Sequence, residues 1–359
     1  MRTLLTVVLV LTFGFPSKAQ NHTIDSLNMQ LGKENNSEKK LEILSLLTDE
    51  SFNTSFEEAK FYALKGVTLA DNTNNRQWQP RFYEKLGRMY ANLMILDSAT
   101  YFFDKALNGY TIIKDNKGQA TTYFKIGWVL KRKGKIKQAM VEDLKAMKIM
   151  EQLNDKNGIA GAMNRVSEDL FRQERFDEAL EYAVKNIAFS KKNKLYEELS
   201  FAYRAAGDVK IAMASPSIAL AYYDSAMLIM KQINASIFTV LNIRNDRANA
   251  IKRMGNYKEA LAEYTACLKK AEEVNYENSI YVCLANIGET NMMLGNYPEA
   301  LKYQLKTVAL QEKTHDLSNL TENYEHVSSI YEKMGDYVNA LKYQKLSRKM
   351  RDSTAKIKS

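Results

Sequence analysis

The chain has 359 residues, 45% of them hydrophobic, 10% aromatic and 26% charged, which is too apolar and too aromatic for a disordered protein. Only 4 prolines and 15 glycines occur, too few turn residues for a sandwich or barrel of short strands. Two cysteines exclude a disulfide scaffold, three histidines leave little for a metal site, and 51 basic against 42 acidic side chains, interspersed, read as a solvated surface with a net +9.

The chain opens with the pattern of a secretory signal peptide. Arg2 is positive, Leu4 to Phe15 form a short apolar run, Pro16 breaks it, and Ser17 and Ala19 place small residues at the −3 and −1 positions. Residues 1–19 therefore read as a leader cut after Ala19. The rival reading is an uncleaved anchor, but the run is short of the roughly 20 residues a span needs. No later stretch approaches a span, so the mature chain is expected to be periplasmic or secreted. Residues 20–37 form a capping segment in which Ile24, Leu27 and Leu31 predict a short helix covering the open end of the segment that begins at residue 38.

From residue 38 to 350 one alanine returns at steps of 40 or 41: Ala59, Ala99, Ala139, Ala179, Ala219, Ala260, Ala300 and Ala340. Twelve residues before it stands a second small residue in seven copies, such as Gly87, Gly127, Ser167, Gly207 and Gly288; Leu47 departs in the first. Seven after it stands a third, such as Gly66, Ala106, Ala146 and Cys267. Between the columns the apolar period is helical, as in Tyr83, Leu86, Gly87 and Tyr90. Small columns at these offsets predict two helices per unit in close approach. The expectation is an all-α, right-handed α-solenoid of eight helix-turn-helix units, continuous to residue 350. A basic tail, 351–359, comes after it, and Lys345, Arg348 and Lys349 give the last helix a polar end.

The pattern Tyr83-x-x-Leu86-Gly87-x-x-Tyr90, then Ala99, Phe103 and Ala106, resembles the tetratricopeptide repeat. The unit is about six residues longer than the usual 34 and lacks the terminal proline, and so is similar to the long-helix variants of kinesin light chains and bacterial regulators. A second resemblance lies in Ile24-Asp25-Ser26-Leu27, Lys39 to Leu47 and Glu57 to Ala63. These are similar to the extracytoplasmic sensor arrays of repeat-bearing histidine kinases and LuxR-type regulators.

No phosphate loop, HExxH, GxSxG or paired-cysteine spacing is present, so no enzyme activity and no cofactor or metal are expected. The carboxylates read as solvated, with no pair singled out. His22, His315 and His326 read as surface or packing residues. The run Lys131-Arg132-Lys133-Gly134-Lys135 falls in an inter-helix turn and reads as solvated rather than as a polyanion patch, and no nucleic-acid partner is expected. Cys267 and Cys283 belong to adjacent predicted helices, and three readings stand: two small buried thiols, a disulfide, or a reactive thiol.

The family resemblance implies that the first helix of each unit lines a concave face where extended peptides lie. Its exposed positions fall three before and one after the first small column. Arg88, Phe124, Trp128, Asn164, Arg204, Asn245 and Asn249 hold such positions, with Lys125, Arg132 and Arg165 beside them. Phe124 and Trp128 are taken to gain no core packing there. The expected function is an exported, non-enzymatic binder of proteins or peptides. The alternative is the sensor portion of a receptor whose membrane and output domains lie outside this sequence.

Overall fold

The computed structural model describes residues 18–52, 54–314 and 319–358, with side chains over 22–52, 54–313 and 319–352. The leader's charged and apolar segments (residues 1–17) and His315 lie outside these. Every described element is an α-helix, and the chain divides into two compact units at residues 173 and 174. The first holds α1 (Lys18–Lys33), α2 (Ser37–Phe52), α3 (Phe56–Asn72), α4 (Trp78–Asn92), α5 (Leu96–Ile112), α6 (Asn116–Arg132), α7 (Ile136–Gln152) and α8 (Lys156–Arg172). The second holds α9 (Phe176–Asn193), α10 (Tyr196–Ala212), α11 (Pro216–Gln232), α12 (Ile237–Arg253), α13 (Tyr257–Glu273), α14 (Glu277–Met293), α15 (Tyr297–Thr314), α16 (Leu320–Lys333) and α17 (Tyr337–Lys358).

Within each unit consecutive helices pack as antiparallel neighbours. The even-numbered helices also touch one another, α2 to α4 to α6 in the first unit and α10 to α12 to α14 to α16 in the second. These are the first helices of the hairpins, so each unit presents a first-helix face. The recurrent alanine is buried in every hairpin.

The glycine columns have a more specific cause than two axes crossing. A Cβ built on Gly87 would meet the Phe103 ring at 2.5 Å, and one on Gly207 would meet the Tyr223 ring at 2.5 Å. In these two hairpins the glycine is the seat of a ring four residues past the alanine on the paired helix. The helices turn with few glycines because a residue of positive φ recurs about every 20 positions. Asn74, Met94, Lys114, Gly134, Asn154, Glu174, Lys194 and Ala214 all adopt it. The amide of the next residue then closes the helix end, as from Ile95 to the Tyr90 carbonyl at 2.9 Å.

Asp115 and Asp155 cap α6 and α8 by accepting from the Gly118 and Gly158 amides at 2.9 and 3.0 Å. Asp155→Ala should cost about 1 kcal/mol, read as a lower urea midpoint; an unchanged midpoint would show that the cap is not used. The predicted N-terminal helix is α1. Its Ile24, Leu27 and Leu31 pack on the core with Leu41, Leu44 and Leu47, and its Asn28 exchanges hydrogen bonds with the Tyr62 hydroxyl at 2.8 and 3.0 Å. The last helix is less polar than expected. Tyr337, Val338 and Leu341 of α17 are exposed, Val338 to 82%; the columns of Tyr337 and Leu341 are half-buried in earlier hairpins, whereas that of Val338 is exposed throughout and elsewhere holds mostly charged residues.

Candidate functional site

On the first-helix face of the first unit the predicted residues come together, mostly in pairs. Arg88 donates to Asp49 at 2.6 Å, and Lys85 bonds the same carboxylate. Lys125 pairs with Glu84, which also accepts from the Tyr110 hydroxyl at 2.7 Å. Burial, then the Glu84 charge, pushes the Tyr110 hydroxyl well above its ordinary range. The Arg165 guanidinium lies over the Phe124 ring at 4.8 Å, and Arg132 over Trp128 at 4.9 Å. Neither arginine has a carboxylate at ion-pair distance among the described residues. Asn164 is half-buried on the same helix as Arg165. Trp128 corrects one expectation: it is half-buried and packs against the cluster of Ala91, Ala99, Phe103, Ile126 and Val129, so its ring does contribute to the core. Lys85 was missed by sequence reasoning, although it stands 40 residues before Lys125 in the same column.

The second unit divides its predicted residues differently. Arg204 donates to Asp246 at 2.6 Å, yet burial outweighs that cation and pushes the Asp246 carboxyl up. Asn245 is not on the open face. It is 5% exposed, donates to the Ser279 hydroxyl at 3.1 Å and accepts from the Cys283 thiol at 3.3 Å. The small polar Ser279 and Cys283 on α14 draw the amide inward. Asn249 stays half-buried and makes no side-chain hydrogen bond among the described residues. Lys252, one turn on, donates to Glu289 at 2.6 Å and to Asn286 at 3.0 Å. Cys267 and Cys283 are buried and both thiols are free. Their hydrogen bond, with burial, pushes the Cys283 thiol far up.

The basic run and the carboxylates need a larger correction. Lys131 is not solvated. Its ammonium is buried 3.1 Å from Asp143 and 2.8 Å from Asp169, with Glu168 at 3.7 Å. Both aspartate side chains are 0% exposed, and these contacts are ion pairs outside good hydrogen-bond geometry. Asp143 stands in the seat that Phe103 and Tyr223 fill elsewhere; a Cβ on Gly127 would meet its Oδ1 at 2.7 Å. Asp169 stands where Met89, Val129 and Val209 are buried. A charged residue in two columns that most copies fill with apolar side chains was the signal that could have revealed the triad. Burial raises both carboxyls, Asp169 to about 7. Burial acts to lower Lys131, but the carboxylates outweigh it and hold the lysine above its ordinary value. Lys133 is also engaged, donating to Asp97 at 2.9 Å and to Thr100 at 2.9 Å.

Among the described residues no cluster of three His, Cys, Asp or Glu side chains is placed to hold a metal, and no helix is long and apolar enough to cross a membrane.

A tetratricopeptide-repeat family profile matches residues 282–318, which span most of α14 and α15. The chain is a helical-repeat protein of the tetratricopeptide type. No curated protein sequence matches it. Among solved structures the repeat array is similar to a Rap protein complexed with Competence and Sporulation Factor, at 14% identity and a TM-score of 0.64, covering 94% of this chain and 93% of that one. It is also similar to the Rap conjugation gene regulator of plasmid pLS20 in complex with the Phr* peptide, at 14% identity and a TM-score of 0.61, covering 96% and 98%. A third likeness is to aspartyl phosphate phosphatase F from Bacillus subtilis, at 12% identity and a TM-score of 0.62, covering 95% and 96%. At these identities the likeness speaks for the fold.

Proposed function

We propose that this protein binds protein or peptide segments on its first-helix faces, and that its role is binding rather than catalysis. The observation that carries the reading is the set of underused groups on the first unit's face. Phe124 is half-buried beneath a guanidinium. Arg132 and Arg165 hold no carboxylate at ion-pair distance among the described residues and lie over aromatic rings instead. A rigid helical surface that carries such groups before any ligand arrives loses little entropy on binding. One Rap protein of similar fold was solved with Competence and Sporulation Factor and another with the Phr* peptide, which is consistent with this use of the architecture. The reading includes export through the leader at residues 1–19, supported by the apolar run Leu4 to Phe15 and the small residues Ser17 and Ala19.

Panning a random-peptide display library on the whole protein tests the binding reading. Enriched peptides should lose at least tenfold in affinity for Phe124→Ala, whose thermal melt stays close to wild type. Peptides that bind Phe124→Ala undiminished would overturn the assignment of this face.

A further inference from the structure

Resting on that reading of the face, two guanidinium groups stacked on neighbouring rings of α6 specify the ligand further. On the first unit several cations of the face hold carboxylates: Lys85 and Arg88 share Asp49, Lys125 holds Glu84, and Arg172 holds Glu168 at 2.9 Å. Arg132 and Arg165 hold no carboxylate at ion-pair distance among the described residues, with Asp143 and Glu168 in electrostatic reach of Arg165. Each is stacked on an aromatic ring instead. Stacking uses the flat face of the guanidinium and leaves its N–H edge free to donate two parallel bonds to a carboxylate.

We propose that Arg132 and Arg165 receive two side-chain carboxylates of one extended acidic segment, carried on residues two apart. The spacing comes from the platforms. Phe124 and Trp128 are four residues apart on α6, one turn, so their anchoring positions are about 6 Å apart. In an extended chain, side chains at i and i+2 point to the same side and stand about 6.6–7 Å apart. Adjacent acidic residues point to opposite sides and present only one carboxylate at a time. The ring edges of Phe124 and Trp128 then flank the peptide between its two anchors.

The test uses labelled peptides of glycine and serine, acetylated and amidated so that no terminal charge contributes, and the whole protein. One carries Glu-x-Glu, one Gln-x-Gln and one Glu-Glu. Fluorescence anisotropy should show Glu-x-Glu binding at least tenfold more tightly than either of the others and weakening steadily with salt. Arg132→Gln and Arg165→Gln should each lose at least tenfold for Glu-x-Glu. The matching lysine variants, which keep the charge without the fork, should fall between. Equal binding of Gln-x-Gln, or full affinity in both glutamine variants, overturns the proposal. Library peptides that depend on Phe124 but not on the two arginines would overturn it while leaving the binding reading intact.

Discussion

Lys131→Met should destabilise the protein by about 3–5 kcal/mol at pH 8, with much of the loss recovered at pH 5. The variant leaves Asp143 and Asp169 buried together without their cation. Two such carboxylates cannot both stay ionised, so the folded state takes up protons, and acid pH supplies them. Wild type should show a milder form of the same trend. Burial has raised Asp169 to about 7, above its value in an unfolded chain. Between about pH 4 and pH 7 the unfolded carboxyl has already lost its proton while the folded one keeps it. The folded state then binds more protons, so stability falls as pH rises through this window and levels off above it. Urea midpoints followed by circular dichroism from pH 5 to 8 would show it. A flat profile in Lys131→Met, or no loss at pH 8, would contradict the buried triad. Replacing all three by residues of their own columns (Lys131→Ala, Asp143→Phe, Asp169→Val) should be neutral or stabilising, since a packed apolar layer often matches or exceeds a buried ion pair.

Phe103→Ala should cost about 3–5 kcal/mol. The ring is buried and fills the space that Gly87 leaves open. The reverse change, Gly87→Ala, should cost about 1–3 kcal/mol by overpacking, because its new Cβ would sit 2.5 Å from the Phe103 ring. The two sites form one seat, so they should couple. Gly87→Ala with Phe103→Leu should lose less than the two single changes summed, measured as a double-mutant cycle in urea. Strict additivity would mean that ring and glycine do not share the seat.

The repeat was legible because its signal is steric. Ala99 and its seven counterparts are buried where two helices press together, and no larger side chain suits the place. The predicted face was partly legible: Phe124, Lys125, Arg132 and Arg165 do gather on one unit's first-helix face. Asn245 was misplaced because position within a repeat fixes a side chain's direction only when its neighbours are typical. Ser279 and Cys283 offer hydrogen bonds inside the buried layer, and the amide turns to them. The triad was hidden for a related reason. Lys131 was judged with its sequence neighbours Arg132 and Lys133, whereas its partners sit 12 and 38 residues away. Only a comparison of Asp143 with Phe103, position against position, exposes a charge in a ring's place.

The residues of positive φ set two different tolerances within one architecture. Reversal of the chain at Met94, Lys114, Glu174 and Ala214 depends on a backbone dihedral and a main-chain bond, with no single side-chain type in common. Corner chemistry is thus decoupled from folding, and acidic, basic or apolar groups can be exchanged along the rim for roughly 1 kcal/mol or less apiece. The buried alanine of each hairpin has no such latitude. A stack built this way can acquire new surface character corner by corner while its buried alanines hold the geometry constant.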